Sequence, residues 1–420
     1  MGIYTYRFSI YKLCIFILID WIFISKNVGI YSYNLPNNLI NMNSKLFCST
    51  WGNSQMLLPK DSYPSINLSN NTLRKIFKIS IGGEKFRIKL SNKYGNEPLE
   101  IKSISIAVSQ SQGSGQIELK TIKKLTFNDK EFITLSKGKE IYTDIFDYKL
   151  NSLSEIAISI FFGKVPSDLT GHKFSMTNSF IEKGNKINEQ KFSYEYKTEH
   201  WYFISNIEIL NTKNTKGLVC FGDSLTDGRF SSIDKQERWP DFLFKKLQNE
   251  KIDIAINNQG LSGTHISTMG MERFENDVIK QNGANYIIVL YGMNDITKLN
   301  KNENEIIEVY KKLIKKAHDK NMLVFGATLT PFKGYRLYSE ERNNIRNKVN
   351  EWIRSSKKIY DGFDEIIDFD KVLRDNNDLN KLKDIYNSGD GVHLNSLGYE
   401  KMIEAFNDLS IFNNYSFNFI

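Results

Sequence analysis

From about Trp51 to Ile209 apolar and polar residues alternate with a period of two. Phe86, Ile88 and Leu90 are interleaved with Lys85, Arg87 and Lys89. Leu99 and Ile101 begin a second such run, and Ile104, Ile106 and Val108 continue it after a one-residue slip at Lys102-Ser103. A β-bulge produces such a slip. Ile156, Ile158, Ile160 and Phe162 form a third run, and turn signals at Gly82-Gly83, Tyr94-Gly95-Asn96 and Gly113-Ser114-Gly115 separate the strands. Short alternating strands at this spacing predict an antiparallel β-sandwich or jelly roll.

Beyond the polar stretch Asn211–Lys216 the pattern changes. Strands become continuous apolar runs at Leu218–Phe221, Ile252–Ile256, Tyr286–Tyr291, Met322–Ala327 and Glu365–Phe369. Helical stretches lie between them near Arg238–Lys251, Met271–Lys280, Glu303–Asp319 and Ser339–Ser356. In the last, Ile345, Val349, Trp352 and Ile353 share one face. Buried strands alternating with amphipathic helices predict an α/β domain, a three-layer, doubly wound parallel sheet. Its active site is expected at the carboxyl ends of the strands.

The amino terminus follows neither pattern. Arg7 and Lys12 precede the apolar run Leu13–Ile19, then Asp20, then Trp21–Ile24. The run falls short of the ~20 apolar residues of a membrane helix, and Asp20 interrupts it. It reads as an export signal, either cleaved or retained as a membrane anchor, although Ser25-Lys26-Asn27 makes a poor cleavage site. The expected organisation is therefore a leader and linker over 1–45, a β-sandwich over 46–210 and a catalytic domain over 215–412, acting outside the cytoplasm or in the cell envelope.

Composition changes this picture little. With 40% hydrophobic and 25% charged residues the chain is an ordinary globular one. Fifty-six Lys+Arg against 48 Asp+Glu leave a net charge of +8. No run of five or six like charges marks a nucleic-acid partner. Cys14, Cys48 and Cys220 have neither paired nor zinc-ligand spacing, so no disulfide framework and no metal is expected.

Four fragments lie at or near predicted strand ends: Gly222-Asp223-Ser224-Leu225, Asn258-Gln259-Gly260-Leu261-Ser262-Gly263, Gly292-Met293-Asn294-Asp295 and Asp390-Gly391-Val392-His393. Each alone has a plain explanation: Ser224 as a helix cap, Gly263 as a turn former, Asn294 as a loop holder, His393 as a surface histidine. Together they supply one chemistry. A serine hydroxyl is a weak nucleophile near neutral pH and needs a histidine to take its proton. That histidine needs a carboxylate to fix its tautomer and stabilise its cation, and Asp390 is near enough to His393 to meet it in one turn. The tetrahedral oxyanion needs preset donors, which the Ser224 and Gly263 amides and the Asn294 side chain can provide. His265, two residues after Gly263, is a candidate substrate contact. Asp223 and Asp295 read as loop-holding groups.

These four fragments resemble, in order, the four blocks of the SGNH or GDSL hydrolases. By that resemblance Ser224 is the nucleophile, Gly263 and Asn294 complete the oxyanion hole, and Asp390 and His393 finish the triad. Asn71-Thr72-Leu73-Arg74, Phe86–Asn92 and Arg238-Trp239-Pro240-Asp241 resemble a subgroup that has a leading β-domain and is similar to esterases associated with xylan degradation. The resemblance implies a serine-dependent carboxylester hydrolase that needs no cofactor. Its expected substrates are short acyl groups, acetyl above all, on polysaccharides, or small esters. A lipase or thioesterase of longer acyl chains is one alternative, and a carbohydrate-binding protein with a degenerate hydrolase domain is another.

Overall fold

The computed structural model describes residues 46–412 except 112, 194, 195, 358 and 407. The expected leader lies outside the described residues. Among the described residues no helix is long and apolar enough to cross a membrane.

Five parallel strands form the second half: Lys216–Gly222, Ile254–Gly260, Ala284–Leu290, Leu323–Ala327 and Glu365–Ile367. In sheet order the second strand in sequence lies at one edge, followed by the first, third, fourth and fifth. This is the flavodoxin-like order of a doubly wound sheet. Alternate side chains explain why both faces are covered. Leu218, Cys220, Ile288 and Phe325 pack into one apolar cluster with Trp239, Leu243 and Leu247 of helix Trp239–Asn249. Val219, Phe221, Ile287 and Val324 pack into a second with helices Glu303–His318 and Glu340–Ser356, where Val349 and Ile353 are buried as their spacing requires.

The stretch expected as one helix near Met271–Lys280 is built differently. A single α-turn, Met271–Phe274, lies between wide π-turns at Ile266–Gly270 and Glu275–Ile279. The wide turns begin where the Asp295 carboxylate accepts from the amides of Ile266 at 2.8 Å and Ser267 at 2.9 Å. Tertiary anchoring thus overrides regular helical winding there.

The leading half has a five-stranded and a seven-stranded antiparallel sheet, with a small three-stranded one. The two larger sheets face one core, to which Phe86, Ile88 and Leu90 contribute from one sheet and Leu73, Phe77, Ile156, Ile158 and Ile160 from the other. The phase slip is a real bulge. Opposite Phe161 and Phe162 stand Ser103 and Ile101, so Lys102 is the extra residue.

This core continues into the parallel half, and the described residues belong to one compact unit. The strand Phe47–Gly52 packs beside Ile254–Gly260 through polar side chains. Asn257 Nδ2 donates to Ser49 Oγ at 3.2 Å. Beside the strand pair, Asn206 and Asn257 both donate to Gln281 Oε1 at 2.7 Å, and the Ile256 amide donates to Ser80 Oγ at 2.9 Å.

Candidate functional site

The first central strand ends at Gly222, where an added Cβ would lie 2.1 Å from Thr226 Oγ1 and 2.5 Å from the Leu290 carbonyl. Asp223 then caps a single helical turn, Ser224–Asp227, accepting from the Leu225 amide at 3.2 Å. The turn is closed by Gly228 in the left-handed region. Ser224 is thereby displayed at the carboxyl end of the strand, where a doubly wound sheet places its ligands.

His393 arrives from the far end of the domain. Ser224 Oγ lies 2.8 Å from His393 Nε2, and His393 Nδ1 lies 2.6 Å from Asp390 Oδ2. The carboxylate beside Nδ1 favours the proton there, leaving Nε2 to accept from the serine hydroxyl. Asp390 is itself held: its Oδ1 accepts from the amides of Val392 at 3.0 Å and His393 at 2.9 Å. Partial burial raises the Asp390 pKa, but these donors and the His393 ring outweigh it and hold the carboxyl below its usual range. Gly391 permits the turn, because φ is +84° and a Cβ would lie 2.4 Å from the Gly334 backbone.

The other two fragments meet this group in one open cleft of about 560 Å³, lined by Ser224, Gly263, Asn294 and His393 among others. Asp227 anchors the Gly263 loop, accepting from the Ser262 amide at 2.9 Å. Gly263 has φ +82° and its Cβ position meets nothing within 4 Å, so the residue is needed for conformation rather than room. Asn294 Nδ2 donates to the Thr264 carbonyl at 2.9 Å and only weakly to Asp223 Oδ2 at 3.3 Å. Its second proton is thus the one available to a better acceptor.

His265 stands apart from this group. It is not among the residues lining the cleft. Its ring is half-buried, its Nε2 has no hydrogen-bond partner among the described residues, and burial lowers its pKa. Asp223 and Asp295 hold loops, as expected. Among the described residues no group of three or more His, Cys, Asp or Glu is placed to hold a metal.

Two contributions from the leading half were not legible in the sequence. His172 is buried against the nucleophile turn, with Nε2 2.8 Å from Asp227 Oδ1 and Nδ1 2.8 Å from the Ser54 carbonyl. Burial disfavours its cation, yet the Asp227 carboxylate and the Ser54 carbonyl leave its pKa raised. Phe174 forms part of the cleft wall, facing Arg229. Nothing local marks either residue; they reach the site only through the packing of the two halves.

Asp223 carries a pH consequence. Burial, with Asp295 nearby, pushes its pKa up to about 7. The folded protein then keeps a proton that the unfolded chain releases near pH 4, so this group's contribution to stability falls as pH rises from about 4 to about 7. Asp223→Asn removes the titration. Relative to wild type, the variant should gain on the order of 2 kcal/mol between pH 5 and pH 8. Thermal unfolding of both proteins at the two pH values checks this, and an unchanged difference between them refutes it.

Residues 220–401 match the model of the GDSL-like Lipase/Acylhydrolase family. No curated protein matches the chain. Among solved structures, a lipolytic protein of the G-D-S-L family from Desulfitobacterium hafniense is 23% identical, covering 45% of this chain and 97% of its own, with a TM-score of 0.38. The acetyl xylan esterase AlAXEase is 22% identical over 45% of this chain and 99% of its own, with a TM-score of 0.37. A variant of an acetyl xylan esterase from Geobacillus stearothermophilus is 16% identical over 46% and 92%, with a TM-score of 0.36.

Proposed function

We propose that this chain, whose residues 220–401 match the model of the GDSL-like lipase/acylhydrolase family, is an ester-hydrolysing enzyme that works through an acyl-enzyme on Ser224 and removes short acyl groups from polysaccharides. The observation that carries the reading is the chain from Ser224 Oγ through His393 to Asp390, at 2.8 and 2.6 Å, opening on the cleft that holds Gly263 and Asn294.

In this mechanism Ser224 Oγ attacks the ester carbonyl carbon while its proton passes to His393 Nε2. The carbonyl oxygen becomes an oxyanion that accepts from the Ser224 and Gly263 amides and from Asn294 Nδ2, which gives up its weak contact with Asp223. The ester C–O bond then breaks and the departing alkoxide takes the proton from His393. Water repeats the sequence on the acyl-serine, which releases the acid and restores the hydroxyl. Asp390 stays ionised throughout and stabilises the imidazolium.

The lining supports a short acyl group. Among the described residues Leu225, Met293 and Val392 are the aliphatic ones lining the cleft, so a long chain would bury little apolar surface there. Phe174 and Tyr335 on its wall, with Phe230 46% exposed beside His393, give flat faces on which a sugar ring can stack. The basic and apolar start Arg7–Ile24 supports action outside the cytoplasm.

A series of p-nitrophenyl esters from acetate to palmitate, together with acetate release from acetylated xylan, tests the acyl assignment. Turnover should be highest on acetate and fall with chain length; a maximum at palmitate would favour a lipase. Asn294→Ala should lower kcat by about 10²–10³. A wild-type rate in that variant would remove Asn294 from the oxyanion hole.

A further inference from the structure

We propose that Arg229 forms an anion subsite on the leaving-group side of the cleft, so that the preferred esters carry a carboxylate or phosphate on their alcohol part. This rests on the ester-hydrolase reading and adds a substrate class to it.

Arg229 lines the cleft with Ser224 and His393. Its backbone is fixed beside the nucleophile: its amide donates to the Ser224 carbonyl at 3.0 Å, and its own carbonyl accepts from the Tyr399 hydroxyl at 2.7 Å. The guanidinium lies 3.9 Å from the centre of the Phe174 ring and 4.7 Å from that of Phe230. Phe230 packs against the His393 ring at 5.4 Å. His393 must hand its proton to the departing alkoxide. A cation carried on Phe230 therefore stands on the side where the alcohol leaves.

The leading half holds Phe174 rigidly in this position. His172 is bonded to Asp227 on one side of it in the chain. On the other, the Asp234 amide donates to the Met176 carbonyl at 2.9 Å and the Asn178 amide to Asp234 Oδ1 at 2.6 Å.

The charge of Arg229 is uncompensated. Arg87, Arg238, Arg273 and Arg346, half-buried or buried, each meet a carboxylate at 2.7–3.0 Å, and Arg74 and Arg342 donate to carbonyl and amide oxygens. Arg229 is half-buried as well, yet among the described residues it has no carboxylate partner and no side-chain hydrogen bond. Among the described residues Lys298 adds a second cation without a carboxylate partner to the same wall, and the one carboxyl lining the cleft, Asp223, is buried and bonded to Asn294. A guanidinium taken partly out of water regains most from an anion, and its planar fork suits carboxylate and phosphate oxygens.

The test compares three acetylated sugars: a methyl glucoside, the corresponding methyl glucuronide and glucose 6-phosphate. For the wild-type enzyme, kcat/KM on at least one charged sugar should exceed that on the neutral one by about 10- to 100-fold. The better of the two identifies carboxylate or phosphate as the ligand. In Arg229→Gln this ratio should fall to near one, and Arg229→Lys should restore part of it. Equal kcat/KM on all three sugars in the wild type overturns the proposal, as does an Arg229→Gln variant that loses activity on all three in equal proportion. Failure of the underlying reading looks different: the wild-type enzyme would then cleave none of the three, nor p-nitrophenyl acetate.

Discussion

Ser224→Ala is expected to lower turnover of p-nitrophenyl acetate by about a million-fold while leaving the thermal unfolding transition within a degree or two of wild type. The size of the loss follows from the way the groups act as a unit, since His393 has no proton to accept once the hydroxyl is gone. Residual catalysis would come from the oxyanion donors that remain, the backbone amides of residues 224 and 263 and the Asn294 side chain, acting with bound water. The fold should tolerate the change because, among the described residues, the Ser224 hydroxyl bonds only to His393, whereas the turn itself is held by Asp223, Gly228 and Asp227. Steady-state kinetics with a protein-only control measures the loss, and the unfolding transition guards against a trivial cause. A variant that keeps a tenth of the wild-type rate would contradict the assignment.

Asp390→Asn is expected to cost about ten-thousand-fold in kcat with little change in KM. The reason is the tautomer. The carboxylate accepts from His393 Nδ1 at 2.6 Å, while its other oxygen is held by the Val392 and His393 amides. An asparagine keeps its carbonyl oxygen on those two amides, so its NH₂ faces His393 and donates to Nδ1. The histidine proton then moves to Nε2, where it points at Ser224 and no lone pair remains to take the hydroxyl proton. Because Asp390 is held below the ordinary carboxylate range, the wild-type acid limb of a pH–rate profile should not trace to this carboxyl. A drop confined to KM, with kcat preserved, would count against the role given to Asp390.

The parallel half was legible because its signals are local. An apolar run fully buried on both faces needs no knowledge of its neighbours, and Leu218–Phe221 or Tyr286–Tyr291 state it directly. The first three chemical fragments were legible for the same reason, since each sits just past such a run and carries a glycine near the turn. Asp390-Gly391-Val392-His393 was legible instead from the close spacing of its aspartate and histidine. The slip at Lys102 was readable because a period of two registers a single inserted residue.

The seam between the halves was hidden for the opposite reason. Asn257 and Gln259 lie beyond the apolar run Ile252–Ile256, yet they belong to an edge strand of the parallel sheet and are buried, because the leading half supplies partners. Asn257 donates to Ser49 Oγ and Ser54 Oγ donates to Gln259 Oε1, both at 3.2 Å. Arg273 is similar: on a predicted amphipathic helix it looks like a solvent-facing charge. In the structure it donates to the Gly222 carbonyl at 2.8 Å and the Gln259 carbonyl at 2.8 Å, bracing the strand end that presents Ser224. His172 and Phe174 reach the cleft by the same long-range packing. Sequence periodicity reports which face of an element is buried, not which distant chain buries it.

The most direct test of the account is to identify the residue that becomes covalently bound. The purified protein is treated with a fluorophosphonate, and the modified peptide is sequenced by mass spectrometry alongside the remaining esterase activity. A single adduct on Ser224, with activity lost in step with labelling, is the expected result. An adduct on another residue, or full esterase activity once Ser224 is completely modified, would contradict the account.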